Sequence, residues 1–465
     1  MNNSLFNQKL KIINGNTFLE DGHFAMADVY VQNGTILKIT VHEEKGDGTV
    51  CDEYSEVSDA YSVVRDECSD INVDDNEFTV IDAEGMYVIP GLVDIHTHGA
   101  VGCDFSNGNK EELVRIAEYE RSVGVTSFLP TSMSLPESQL KKAFINALEV
   151  RNGFDNFEYT NASMNHKPAY IAGINMEGPF INPDKAGAQN REYICEPDVK
   201  MFMRLMESCG NLIKLVTIAP EINGGDEFIS ELCGTVNISL GHSDADYVVA
   251  GKAFTNGANH VTHLYNAMRG LAHREPGLIG AACERIALDG TALVGTSLEG
   301  TALEGTALEG ATLEGTALVE TAIGGITCEN KGVFAEIICD LVHVHPAAIK
   351  AAFKLFGEKH LVFISDSMEA TGMPDGEYSL GGQKVYKNGN LATLEDDTLA
   401  GSVSNLYECM INAIKIGIPM ESAIRCATIN PAVSIGMEAE IGCIKKGARA
   451  DILILDENLQ IRQII

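Results

Sequence analysis

Basic residues are scarce in this sequence: 33 Lys and Arg stand against 66 Asp and Glu, a formal net charge of −33 over 465 residues. Nucleic acid and anionic membrane surfaces both require a basic face, so neither is an expected partner. Long apolar runs are also missing, which excludes a helix of the ~20 residues needed to span a bilayer. The opening MNNSLFNQKL lacks the pattern of a signal peptide. The twelve cysteines stand singly, with no CxxC pair. They read as reduced thiols in a cytoplasmic enzyme and not as a disulfide framework.

What the chain does have is enough length and apolar content, 45% hydrophobic, for one large domain and a smaller one. Residues 9–40 alternate β-type segments with turns, and Asn-Gly pairs at 14–15 and 33–34 are hairpin signals. Residues 43–78 then carry 13 acidic and 2 basic side chains. That balance reads as a solvated insertion, with a partner-binding acidic tract as the functional alternative. The β pattern resumes at FTVIDAEGMYVIP and leads into VIPGLVDIHTHG at 88–99, where a buried strand ends on His96 and His98. Residues two apart in a strand point to one side, so both imidazoles are aimed together.

Beyond this point strands and helices alternate. Strands are expected at 92–95, 125–129, 170–175, 213–218, 236–240, 260–262, 333–338 and 361–364. Helices are expected at 110–122, 137–150, 197–208, 244–254 and 346–356. Eight such units predict an α/β fold, a (β/α)8 TIM-like barrel over residues 91–435. After a loop and two further helices, ADILILD returns to β-type alternation. A small β-sandwich domain is therefore expected from both chain ends, residues 1–90 and 436–465. At 289–325 a five-residue unit repeats as GTALV, GTSLE, GTALE and variants. It loosely resembles a pentapeptide-repeat β-helix, but too few units are present to stack, so a low-complexity expansion of one connection is expected.

The barrel strands carry their titratable residues at their C-terminal ends, where barrels keep their chemistry. His96 and His98 come from the first strand, Glu177 from the third, His242 from the fifth, His263 from the sixth, His343 from the seventh and Asp366 from the eighth. Imidazoles and carboxylates converging on one face suit a divalent metal that activates water for attack on a carbonyl. Asp366 can move the proton to a leaving nitrogen, although an Asp at a strand end can equally cap a turn.

The segments PGLVDIHTHG, MEGPF, LGHSDA, VTHLYNAM, REPGLIG, IICDLVHVHP, SDSMEATG and LAGS together resemble the N-acetylglucosamine-6-phosphate deacetylases of the amidohydrolase superfamily. HxH alone marks only the superfamily, whereas MEGPF, HLYNAM and REPG are more specific. The resemblance covers nearly the whole chain except the acidic insertion and the pentapeptide tract. It implies hydrolysis of the acetamide of N-acetylglucosamine 6-phosphate with one or two divalent ions, Zn2+ or Fe2+. It also implies Glu177, His242 and His263 as main metal ligands, His96 and His98 as an additional pair, and Asp366 as acid and base. The implied substrate contacts are Ala188, Gln189, Asn266, Ala267, Arg274, His343, Leu399, Ala400 and Gly401. Arg274, whose guanidinium suits phosphate, would reach the neighbouring subunit's site in a homodimer. Some members carry a His where Gln189 stands. His260, His273 and His345 match no ligand position and read as structural. The alternatives are another amidohydrolase, acting on a cyclic amide or an N-acyl amino acid, and a non-catalytic metal-binding scaffold whose acidic tract and repeats hold partners.

Overall fold

In the computed structural model, residues 9–44, 50–51, 77–155, 167–288 and 332–465 are described. Most of the acidic insertion and all of the pentapeptide-like tract lie outside them. Eight parallel segments follow one another around a barrel in chain order: Leu92–Thr97, Val125–Ser132, a third in two pieces (Tyr170–Ile171 and Ile174–Glu177), Ile213–Ile218, Asn237–Leu240, His260–Val261, Phe334–Ile338 and Leu361–Ile364. The eighth closes on the first through a parallel bridge between Thr97 and Ser367, where Asp366 N donates to His96 O and His98 N to Ser367 O. One apolar cluster takes Val93, Ile95, Leu129, Leu215, Phe334, Val362 and Ile364 from different strands. A larger one packs strands against helices. The barrel is therefore a filled core and not a pore, and the site sits on its rim.

Local chemistry explains where the helices begin. Asn109 caps Lys110–Ser122 by accepting from the N–H groups of Glu111 and Glu112, and His345 caps Pro346–Phe356 ahead of a proline in the first turn. Both helices match their expected bounds. The helix expected from 244 starts later, as Tyr247–Thr255, because Asp246 is its N-cap. Asn405 and Glu408 form a reciprocal capping box on Leu406–Lys415.

Both chain ends meet in a seven-stranded mixed sheet. Its order is Ile461–Ile464, Ile452–Leu455, Tyr87–Pro90, Lys9–Phe18, Phe24–Gln32 and Thr35–Val41, with Thr79–Asp82 also paired to Lys9–Phe18. The sheet curls on itself, since Ile36 N donates to Ala448 O and Ala450 N to Gly34 O, and it encloses Ile12, Val29, Val88, Ile452 and Ile454. This is a small β domain formed from both ends. The Asn33-Gly34 pair makes its two-residue hairpin, with φ of 55° and 72°. The Asn14-Gly15 pair does not make one. Asn14 has φ of 58° and the register shifts between Ile12 and Gly15, so the pair forms a bulge within a strand that runs on to Phe18.

A second difference lies after the eighth barrel strand. The expected loop contains a three-stranded antiparallel sheet, Gly376–Leu380, Gln383–Asn388 and Leu391–Thr393. Its first turn is Gly381-Gly382 and its second contains Gly389, all at positive φ.

Candidate metal centre and active site

The rim of the barrel brings two groups of side chains together: Glu177 with His242 and His263, and His96 with His98 and Asp366. Each of the six is largely buried. His96 and His98 leave the first strand with ring centroids 5.2 Å apart. Glu177 joins the groups. Its Oε1 lies 3.0 Å from His263 Nε2, 3.1 Å from His242 Nε2 and 3.5 Å from His96 Nε2, and its Oε2 lies 3.5 Å from His98 Nε2. Asp366 Oδ1 stands 3.2 Å from His98 Nε2 and 3.5 Å from His96 Nε2.

The backbone is strained to bring them there. His242, His263 and Asp366 have φ of 48°, 27° and 50°, in the left-handed region that side-chain-bearing residues seldom adopt. Strain at three converging titratable residues points to a functional constraint.

Hydrogen bonds on the far side of the rings orient the nitrogens. His96 Nδ1 faces Glu336 Oε2 at 2.9 Å, His98 Nδ1 faces Thr131 O at 3.1 Å, and His242 Nδ1 faces Lys185 O at 2.8 Å. Each acceptor takes the Nδ1 proton, which leaves the Nε2 lone pair directed inward. His96 Nε2 has no hydrogen-bond partner. His242 Nε2 and His263 Nε2 lie only 3.0 Å apart, so both cannot carry protons. Lone pairs facing lone pairs and carboxylate oxygens are mutually repulsive until a cation stands between them, so these residues fit a divalent metal. The electrostatics show the same demand for positive charge, met here by protons. Against their burial, the surrounding carboxylates push His96 well above the usual imidazole range and His263 above it. The charged rings in turn outweigh burial at Glu177 and hold its carboxyl well below the usual range. Burial likewise opposes ionisation of Asp366, yet His96 and His98 lower its pKa.

A cavity of about 270 Å³ opens over these groups. Ala188, Gln189, Asn266, Ala267 and His343 line it, as do Leu399, Ala400 and Gly401. Gln189 has a fixed orientation. Its Oε1 accepts from Ser134 N at 2.6 Å and its Nε2 donates to Glu177 Oε2 at 2.6 Å. His343 Nδ1 meets Asp340 Oδ2 at 2.7 Å and its Nε2 donates to Ala400 O at 2.9 Å. Burial disfavours charge there, but Asp340 prevails and pushes the imidazole up to about 9.

Arg274 is not brought into this cavity; it is exposed, and among the described residues no Lys or Arg lines the cavity. His345 is a helix cap, His273 is exposed, and buried His260 faces Ser239 Oγ at 3.3 Å. Sequence reasoning missed Glu336, Asp340 and the three-stranded sheet, whose Leu380 lines the cavity and whose Gln383 donates to Ala188 O at 2.5 Å. A lone Glu inside the apolar strand FAEII was the available signal for Glu336.

Comparisons with known proteins identify the family and the fold. Residues 332–464 match the model of the amidohydrolase family. The N-acetylglucosamine-6-phosphate deacetylase of Bacillus subtilis (strain 168) is 32% identical over 376 residues, covering 80% of this chain and 82% of that protein. The chain belongs to the N-acetylglucosamine-6-phosphate deacetylase family. An N-acetylgalactosamine-6-phosphate deacetylase of Escherichia coli O157:H7 is 28% identical over 388 residues, 83% of this chain and 88% of that protein. The N-acetyl-D-glucosamine-6-phosphate deacetylase of Mycobacterium smegmatis, solved in complex with N-acetyl-D-glucosamine-6-phosphate, shares the fold. Its TM-score is 0.74 at 24% identity, over 99% of this chain and 98% of that one. Membership of the deacetylase family makes the chain an amide-hydrolysing enzyme.

Proposed function

We propose that the chain hydrolyses the acetamide of N-acetyl-D-glucosamine 6-phosphate to D-glucosamine 6-phosphate and acetate, a step of amino-sugar catabolism and recycling in the cytoplasm. The observation that carries this reading is the inward convergence of imidazole Nε2 atoms on Glu177 and Asp366. Glu177, His242 and His263 would hold one divalent ion, and His96, His98 and Asp366 have the donor set for another; Zn2+ and Fe2+ suit such mixed imidazole and carboxylate sites. A bound ion supplies a Lewis acid for the amide oxygen and a water of lowered pKa.

The chain's own groups do the rest. Asp366 is ionised at neutral pH because its neighbours depress its pKa, so it accepts the proton of the attacking water. It then returns that proton to the amide nitrogen as the C–N bond breaks, releasing the amine and acetic acid, whose remaining proton passes to the amine to leave an ammonium and a carboxylate. Gln189 keeps one N–H on Glu177 and has a second for the acetyl group. Asn266, Ala267, His343 and the 399–401 loop enclose the sugar. Among the described residues no Lys or Arg lines the cavity to meet a phosphate dianion, which supports Arg274 entering from a second copy of the chain in a homodimer.

The test measures acetate release from N-acetylglucosamine 6-phosphate, N-acetylgalactosamine 6-phosphate and unphosphorylated N-acetylglucosamine with Zn2+-loaded or Fe2+-loaded protein. The reading expects turnover to require the phosphate and to be fastest with the gluco epimer. Preference for the galacto epimer would reassign the substrate, and turnover of none, with metal bound, would direct the search to cyclic amides and N-acyl amino acids.

A further inference from the structure

Glu336 is fully buried in the seventh barrel strand. No ion pair joins it to a Lys or Arg among the described residues; its ion-pair partners are His96 and His260. An anion placed there without compensation is costly, so its neighbours indicate what it serves. One oxygen, Oε2, does two things at once. It faces His96 Nδ1 at 2.9 Å and accepts from the backbone N–H of His263 at 3.2 Å. His96 belongs to one ligand group and His263 to the other, so a single carboxylate oxygen braces both. Its other oxygen, Oε1, has no hydrogen-bond partner and lies 3.7 Å from His260 Nδ1.

We propose that Glu336 is a positioning residue of the metal centre, fixing the ring and tautomer of His96 and the backbone of His263 so that the two ligand groups are held in register. The inference rests on the metal-binding reading of those groups. A carboxylate behind a ligating imidazole does two separable things: it holds the ring in place, and its negative charge makes the far nitrogen a better donor. Glu336→Gln keeps the shape and an acceptor oxygen but removes the charge, whereas Glu336→Leu removes both. Loss of such a partner typically weakens metal affinity about 10- to 100-fold.

The experiment titrates metal-free protein with Co2+, following its visible absorption and counting bound cobalt per chain. The affinity is expected to fall about 10-fold in Glu336→Gln and towards 100-fold in Glu336→Leu. A purely structural role would lower the melting temperature of the metal-free protein and leave Co2+ affinity at the wild-type value, which overturns the proposal in either variant. Should the Leu variant not fold, the near-isosteric Gln variant decides. Action through His96 is read from a double-mutant cycle. In a His96→Asn background, Glu336→Gln is expected to cost much less than it does in the wild type; an equal loss with and without His96 contradicts the assigned route. Failure of the wild type to bind Co2+ at all would instead overturn the metal-binding reading itself, and this inference with it.

Discussion

At the scale of residues, three of the inward-facing rings are aimed by a second group behind them: Glu336 behind His96, Thr131 O behind His98 and Lys185 O behind His242. His343 shows the energetic consequence. Both ring nitrogens face acceptors, Asp340 Oδ2 and Ala400 O, and its pKa is pushed up to about 9 from the ordinary 6.5. A folded-state pKa raised in this way gives stability that is fully present below pH 6.5 and is lost as the pH rises through about 9. The wild-type protein should therefore lose up to about 3 kcal/mol across that window from this group. In His343→Gln that slope should vanish. Urea denaturation at intervals from pH 6 to 10 checks the expectation, and an unchanged slope in the variant would show that other groups carry it.

Elements differ in how far local residues determine them, and this decided what could be read in advance. Eight short apolar runs separated by helical patterns were enough for the barrel, because a parallel strand buried on both faces is apolar throughout. The helices behind the Asn109 and His345 caps were placed to the residue. The three-stranded sheet after the eighth strand was not. Its strands are half-exposed, and its Gly-Gly and Asn-Gly turns lie in a stretch of mixed polarity where alternation is weak. Asn14-Gly15 failed for the opposite reason: the same dipeptide serves a hairpin or a bulge, and only the neighbouring strands choose between them. In the site, strand-end histidines were legible because the barrel topology says where strand ends meet. Glu336 was not, because its role depends on which ring lies across the barrel. The overlooked sheet has a function to test. Gln383 ties it to Ala188 O over the cavity, a contact of roughly 1 kcal/mol. Gln383→Ala should raise KM several-fold with kcat nearly unchanged, measured by steady-state acetate release; a fall in kcat alone would contradict a role in shaping the cavity wall at Ala188.

For the molecule as a whole, the two ends of the chain meet in the small β domain, and the barrel that carries every proposed ligand lies between them. Most of the acidic insertion and all of the pentapeptide-like tract fall outside the described residues, and neither contains a residue assigned to the site. Among the described residues no Lys or Arg lines the cavity, and Arg274 is exposed and away from it. If it serves a neighbour, Arg274→Ala and Asp366→Asn protomers, each inactive alone or nearly so, should regain activity when refolded together, since hybrid dimers contain one intact site. Absence of complementation, with mixed dimers shown by mass, would place the phosphate contact within one chain. The central claim is that a metal-loaded barrel hydrolyses an amide with Asp366 handling the proton. Its most direct test is kcat for acetate release from N-acetylglucosamine 6-phosphate by wild type and Asp366→Asn at equal measured metal content. The account predicts a loss of about 10²- to 10⁴-fold in the variant and no turnover in the metal-free wild type; comparable rates in the two proteins, or full activity without metal, would contradict it.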